Sequence, residues 1–348
     1  MDDVRELLQG WVKKGLLTGV SLRVVAGSDI CFSCDAGTTS VDGGLPVTRD
    51  TMFDLASLTK VTATLPALLL LLQEGKIRSD DPIGVYFPGC PSDKQSLTIA
   101  QLLTHTSGLP ADLAERRRDQ TLALPDLLYE QKLLHEPGTQ VVYSDLGMIW
   151  LGMLVEAVTG ERLDEFACRR IFAPLGMNQT CYCPNNRGFQ NIAQTEFCAL
   201  TGRYISGEVH DEKAFAMGGV AGHAGLFATA DDLCTYALSW MHDDRAIIEK
   251  EWRQRASGCR TGPGIERRGY GWQCNDVSGQ LSCGTGFHPD SYGHTGFTGT
   301  SIWIDPVHQW AVVFLTNAVH LGRDHRLRQL RPLIHDAVTA HLYQSLTS

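Results

Sequence analysis

Ser57 and Lys60 stand three residues apart in the stretch Thr51-Met-Phe-Asp-Leu-Ala-Ser-Leu-Thr-Lys60. On a helix that spacing puts both side chains on one face, one turn apart, so the amine reaches the hydroxyl. A serine hydroxyl is a weak nucleophile until a base removes its proton. Lysine serves as that base only if burial or a neighbouring cation lowers its pKa. The flanking Phe53, Leu55, Ala56 and Leu58 are apolar, as burial requires. A serine at a helix N-terminus can also turn its own backbone N–H towards an oxyanion. Taken alone the pattern says little, because about one Ser-x-x-Lys arises by chance in a chain of this length.

Two further groups carry the chemistry forward. Tyr143, in Val142-Tyr143-Ser144-Asp145, precedes an apolar helical run, and its phenol can shuttle a proton between serine, lysine and leaving group. Asp145 can orient a substrate amide, hold Lys60, or cap the helix that starts at 146. Gly293-His294-Thr295-Gly296-Phe297-Thr298-Gly299 comes just before a strand. Its small residues let a substrate backbone approach closely, and the Phe297 N–H is the candidate second oxyanion donor. His294 can polarise Tyr143, bind an anionic group, or be structural.

The elements that must position these groups follow from periodicity. A helix is expected over 2–17, then a hairpin of Val20–Val25 and Ile30–Cys34 turning at Gly27-Ser28-Asp29. Leu58–Glu74 reads as an apolar helix, kinked at Pro66 and closed by Gly75. Further helices are expected at Ile99–Leu103, Asp145–Val158, Leu163–Phe172 and Ala230–Met241, with an irregular Gly-rich stretch over 200–230. Thr300–Ile304 and Trp310–Thr316 form a second hairpin at Pro306. A helix from about Gln329 to Leu346 follows, with Pro332 in its first turn.

The fold class expected is therefore α/β (α+β): an antiparallel sheet flanked by N- and C-terminal helices, with an inserted, mostly helical domain. Residues 1–56 with about 205–348 would make the sheet domain and about 57–204 the helical one, the active site lying at their junction.

Serine, tyrosine and His-Thr-Gly elements in this order resemble those of the serine β-lactamase and penicillin-binding-protein family, including class C β-lactamases, low-molecular-weight penicillin-binding proteins and related carboxylesterases. Leu102-Leu-Thr-His-Thr-Ser-Gly-Leu-Pro110, Asp80-Asp-Pro82 and Pro137-Gly138 add to the likeness. Val209-His-Asp-Glu212, Gly218-Gly-Val-Ala-Gly-His-Ala-Gly-Leu-Phe227 and Thr316-Asn-Ala-Val-His320 resemble the penicillin-binding protein 4B branch, which is associated with D,D-carboxypeptidase activity. The resemblance implies a serine hydrolase forming an acyl-Ser57 intermediate on a small amide or ester, most naturally a D-amino-acid peptide. Ser57, Lys60, Tyr143 and His294 would be catalytic. Asp145, Thr295, Gly296, Phe297 and His223 would bind substrate, although His223 reads equally well as a fixture of its Gly-rich loop. No cofactor is implied. A carboxylesterase, a weak β-lactamase and a silent binding protein of the same fold are the alternatives.

Two departures stand out. The wider pattern has Tyr-x-Asn and Lys-Thr-Gly, where this chain has Asp145 and His294. Loss of the cation and the amide weakens binding of a carboxylate-bearing substrate, and a carboxylate at 145 would also repel an anionic one.

Composition excludes other classes. The 348 residues are 43% hydrophobic and 20% charged, with a net charge of −9, unlike the basic stripe of a nucleic-acid binder. No apolar run approaches the ~20 residues of a membrane helix. Asp2, Asp3 and Arg5 do not read as a signal peptide, so a cytoplasmic enzyme is expected. The 11 cysteines, including Cys31-Phe-Ser-Cys34, lack zinc spacing and read as reduced thiols. GxSxG, HExxH and phosphate-loop motifs are absent. His320 and His325 beside Asp324 read as surface or capping groups rather than a metal site. Oligomeric state is not legible.

Overall fold

A computed structural model describes residues 1–113, 118, 126–276, 281–323 and 326–347. Asp324 and His325 lie outside the described residues. The chain opens with helix α1 (Asp2–Lys13), followed by strands β1 (Gly19–Ala26) and β2 (Asp29–Gly37). Helix α1 stops short of the expected residue 17 because the chain turns at Gly15, whose φ is +68°. Helices α2 (Leu65–Gln73), α3 (Asp145–Thr159) and α4 (Ala230–Met241) fill the middle of the chain. The last part supplies strands β3 (Gln273–Cys274), β4 (Tyr292–Thr295), β5 (Ser301–Asp305) and β6 (Trp310–Thr316), then helix α5 (Leu327–Thr347).

The main sheet is antiparallel with spatial order β2-β1-β6-β5-β4-β3. Its central pairing joins the two ends of the chain, with Val20 opposite Thr316 and Ala26 opposite Trp310. Side chains alternate along β1, as a strand buried on both faces requires. Val20, Leu22 and Val24 pack with Val4, Leu8 and Trp11 of α1 and with Ile334 and Val338 of α5. The opposite face carries Arg23, whose buried guanidinium binds Asp35 at 2.8 Å and Asp231 of α4 at 2.6 Å. Val25, Ile302, Val313 and Leu315 join the large core that also holds the leucines of α2 and Leu146–Val155 of α3. The expected antiparallel sheet, flanked by terminal helices and joined to a helical layer, is thus present.

Three local departures have clear causes. The break anticipated near Pro66 appears as a π-helical turn over Lys60–Thr64, just ahead of the proline that cannot donate an N–H. Helix α5 starts at Leu327, so Pro332 lies inside it rather than in its first turn. The stretch 200–230 contains a short helix, Glu212–Ala216, capped by Asp211, and a strand, Leu226–Ala228. That strand is central in a small sheet with Phe53–Asp54 and Thr180–Tyr182, which anchors the chain just before Ser57. Among the described residues no helix is long and apolar enough to cross a membrane. All 11 cysteines are free thiols.

Candidate active site

Ser57 sits on a tight turn at the entrance to the π-helical segment. Ala56 before it has a φ of +46°, a left-handed conformation costly for a residue with a side chain. Asp54 holds that turn, its Oδ1 accepting the Ala56 N–H at 2.8 Å. Lys60 follows one turn on and is fully buried. Its ammonium donates to Ser57 Oγ at 2.8 Å and to the His223 carbonyl at 3.0 Å, and it pairs with Asp145 Oδ1 at 2.8 Å.

Tyr143 reaches this point through the segment after Leu103. The His105 carbonyl accepts the Val142 N–H at 2.9 Å, and His105 Nδ1 accepts the Ser144 N–H at 3.1 Å. The His105 ring lies 4.7 Å from the Tyr143 ring. Ser144, not Asp145, caps helix α3, accepting the Gly147 N–H at 3.2 Å. The capping role anticipated for Asp145 is therefore filled by its neighbour, and the Asp145 carboxylate is left to Lys60.

His294 lies on β4, whose partner β5 sets Ser301 opposite Thr295. Thr298 and Thr300 bind this hairpin to the serine turn, their hydroxyls donating to the carbonyls of Asp54 at 2.6 Å and Leu55 at 3.1 Å. Gly296 is required here: a Cβ would come within 2.4 Å of the Leu55 carbonyl oxygen. The rings of Tyr143 and His294 are 5.7 Å apart. His294 donates from Nδ1 to the Thr295 carbonyl at 2.8 Å, which leaves Nε2 as an acceptor. Burial, then the Lys60 and Arg268 charges, hold its pKa well below the ordinary value. A neutral imidazole does not bind an anion by charge, which removes that option for His294. Both its Nε2 and the Tyr143 hydroxyl are buried without a hydrogen-bond partner among the described residues. Buried polar groups are rarely left so, and two together mark a place shaped for a third molecule.

Charge inverts the simple expectation for Lys60. Burial alone works against its ammonium form, but Asp145 and then Tyr143 more than offset it, so the pKa lies above the ordinary value. Burial likewise opposes an ionised Asp145, and Lys60, His223 and Lys213 together pull its pKa below the usual range. Lys213, buried and unmarked by any motif, lies 3.4 Å from Asp145, 3.0 Å from Asp112 and 3.0 Å from Asp211. The carboxylate at 145 is thus neutralised from two sides and does not face a substrate unpaired. Asp145, Asp211 and His223 could offer a metal ligand atoms within 4.8 Å of one another. Lys60 and Lys213 already supply cations to those carboxylates, so the donor set does not call for a metal.

Every predicted site residue falls in this region. Ser57, Tyr143, His294, Thr295, Gly296 and Phe297 line a cavity of about 600 Å³. Ser57, Tyr143, Asp145, His223 and Phe297 line an adjoining one of about 170 Å³. Lys60 lies buried beneath both. Phe297 is half exposed, and its ring stacks on His210 at 5.7 Å. The sequence reading missed Arg268, Arg323, Arg328 and Arg331, which also line the larger cavity. Arg331 of α5 donates to the carbonyls of Gly296 at 2.6 Å and Thr300 at 3.0 Å. Burial, then Arg328, push its pKa down to about 9. The Arg268 guanidinium lies 5.4 Å from the centre of the Tyr143 ring.

A serine hydroxyl on a lysine ammonium, beside a tyrosine and a His-Thr-Gly strand, defines the class of β-lactamase-like serine hydrolases. The chain belongs to the beta-lactamase family, whose profile matches residues 4–336. It is 35% identical over 319 residues to a protein of Escherichia coli (strain K12) named "Putative D-alanyl-D-alanine carboxypeptidase", covering 82% of this chain and 73% of that protein. Among solved structures it is similar to the octameric penicillin-binding protein homologue from Pyrococcus abyssi. The TM-score there is 0.75 at 22% identity, covering 96% of this chain and 77% of that one. EstCE1, a hydrolase with promiscuous acyltransferase activity, gives a TM-score of 0.75 at 21% identity, over 95% of this chain and 98% of that one.

Proposed function

We propose that the protein is a serine hydrolase that acylates Ser57 and cleaves a small D-amino-acid peptide of the cell-wall type, one that ends in a free carboxylate. The observation that carries this reading is the Ser57–Lys60–Tyr143 group opening onto a cavity lined by four arginines. A cluster of guanidinium groups suits a carboxylate. The positive charge missing from the His-Thr-Gly strand would come from Arg331 and from Arg268, the latter shared with Glu266 at 2.7 Å. The E. coli relative's name agrees with this substrate class.

The substrate carbonyl enters between the backbone N–H groups of Ser57 and Phe297. Lys60, already an ammonium, does not take the serine proton; it stabilises the oxygen that gives it up. The Tyr143 hydroxyl accepts that proton while passing its own to the leaving amine. The His294 Nε2 lone pair steadies the tyrosine during the exchange. Water then releases the acyl group. Oxyanion donors of this kind are each worth about 10²–10³ in rate. No step calls for a cofactor.

The test is turnover of three substrates: a short-chain p-nitrophenyl ester, a peptide ending in D-Ala-D-Ala and a chromogenic cephalosporin. Ser57→Ala and Arg268→Gln run beside the unaltered protein. Fastest cleavage of the peptide, no turnover in Ser57→Ala, and an Arg268→Gln KM raised for the peptide but not for the ester are expected. Turnover of the ester alone would move the assignment to a carboxylesterase, a reading that the neutral His294 favours. Full activity in Ser57→Ala overturns the serine mechanism.

A further inference from the structure

The smaller cavity holds a group that the acylation chemistry leaves idle. His223 Nε2 lies 2.8 Å from Asp211 Oδ1. Asp211 opposes its own burial with His223 and then Lys213, and its carboxyl stays well below the ordinary range. A carboxylate only accepts, so the imidazole proton must sit on Nε2. In the neutral imidazole Nδ1 then keeps its lone pair, and it is buried with no hydrogen-bond partner among the described residues. Asp211 is itself held: Oδ1 also accepts the Ala214 N–H at 2.9 Å and Oδ2 pairs with Lys213 at 3.0 Å. The His223 carbonyl binds the same ammonium that binds Ser57. A carboxylate that fixes the tautomer of an imidazole beside a nucleophilic serine is the arrangement of a general base.

We infer that His223, oriented by Asp211, is the general base that activates water for hydrolysis of the acyl-Ser57 intermediate. This rests on the proposal that Ser57 is acylated. The cavity of about 170 Å³ is lined by His223 and Ser57 together and has room for water beside the ester. Nδ1 takes a proton from water as the water oxygen bonds to the acyl carbon. The tetrahedral intermediate then collapses, and the bond from that carbon to Ser57 Oγ breaks as the Lys60 ammonium donates to Oγ. The imidazolium proton restores the lysine, and the product leaves as the carboxylic acid. Acylation and deacylation thus use different groups on either side of one serine: Tyr143 with His294, then His223 with Asp211. Asp211 acts through His223 and is a positioning residue.

The experiment follows a p-nitrophenyl ester by stopped flow, with intact-protein mass measured on quenched samples. The unaltered protein, Ser57→Ala and His223→Gln are compared. His223→Gln is expected to keep the burst of nitrophenol, to turn over about 10²-fold more slowly, and to carry one acyl group on Ser57 at steady state. A burst and turnover that fall together, or turnover that does not fall, overturn the inference. Absence of any acyl adduct in the unaltered protein instead sinks the acyl-serine reading on which it rests. If His223→Gln fails to fold, the pH profile of the unaltered protein decides. Turnover must fall on acidification while the burst rate does not, and a common profile for both phases overturns the assignment. Asp211, Lys213, Asp145, Lys60, Asp112, His210, Glu212 and Arg323 face or surround the imidazole, and His210 is the one other histidine among them. A His210→Gln variant with an unmoved profile assigns it to His223, and a profile that disappears in that variant overturns the inference.

Discussion

Asp145→Asn isolates the charge that makes this site unusual. The substitution keeps the shape of the side chain and removes one negative charge between two buried ammonium groups. Lys60 lies 2.8 Å and Lys213 3.4 Å from the carboxylate. At an effective dielectric of about 20, a pair 2.8 Å apart attracts by about 6 kcal/mol. Desolvation of both ions consumes part of that, and truncating one partner of a buried pair costs about 3–5 kcal/mol in practice. Lys213 keeps Asp112 and Asp211, and the asparagine oxygen still accepts from Lys60, so the expected loss is near the lower end, about 3 kcal/mol. The loss also has a shape in pH. Asp145 is depressed in the fold, so its contribution is complete above the ordinary carboxylate value and fades as acid protonates it. Lys60 is raised, so its contribution persists up to the ordinary lysine value and fades only at still higher pH. The gap between the two proteins is therefore full from about pH 5 to 10 and narrows below about pH 4. Urea unfolding followed by fluorescence at several pH values measures it. A gap under about 1 kcal/mol at pH 7, or one that stays constant down to pH 3, would refute the argument that Asp145 is the counter-ion of Lys60.

His294 should stay neutral on mild acidification, since burial holds its pKa down; nitrogen-edited NMR of the imidazoles at pH 6 checks this, and a protonated ring contradicts it. Gly222→Ala should destabilise the protein by about 1–3 kcal/mol and slow acylation, because the new Cβ would lie 2.1 Å from the Met148 carbonyl oxygen and push against the loop that binds Lys60; a melting temperature equal to that of the unaltered protein would contradict the packing. Ser144→Ala should cost about 1 kcal/mol by uncapping α3 and should slow acylation more than an ordinary surface change, since the same hydroxyl donates to the Pro110 carbonyl at 2.6 Å. Thermal melts with burst kinetics test it, and unchanged values in both would contradict the capping role.

What the sequence disclosed was whatever has a local signature. Ser57 and Lys60 lie within one turn of each other and Tyr143 stands just before a helix, so their elements were legible, whereas His294 was placed only as lying ahead of the strand that starts near Thr300. The hairpins and most helices followed from periodicity and from Gly27 and Gly75. The charge of Lys60 was not legible: apolar flanks argue for a lowered pKa, and the carboxylate that reverses it arrives from another helix. Ser144 and Asp145 are both good N-caps, so only tertiary contacts decide between them; the Asp145 N–H is taken by the Ala111 carbonyl at 2.9 Å. Lys213 and the arginines carry no motif, and their approach to the site is set by how elements distant in sequence pack. Asp211 and His223 stood inside recognised stretches, yet nothing in either stretch announces that the two side chains meet.

The pairing of β1 with β6 has a consequence for how the site comes into being. Gly19 donates its N–H to Asn317 at 3.0 Å, across almost the whole length of the chain. The strand that carries His294, and the helix whose Arg331 pins Gly296, leave the ribosome well over 200 residues after Ser57 and Lys60. Closing so long a loop is entropically slow. Until it closes, the serine turn lacks the hairpin that anchors it through Thr298 and Thr300. A nascent chain that has exposed Ser57 and Lys60 thus carries their chemistry in sequence but not in space. The assembled site arrives only once those later elements have been made, and until then the apolar face of β1 has α1 but not α5 against it, a window in which a chaperone has something to hold.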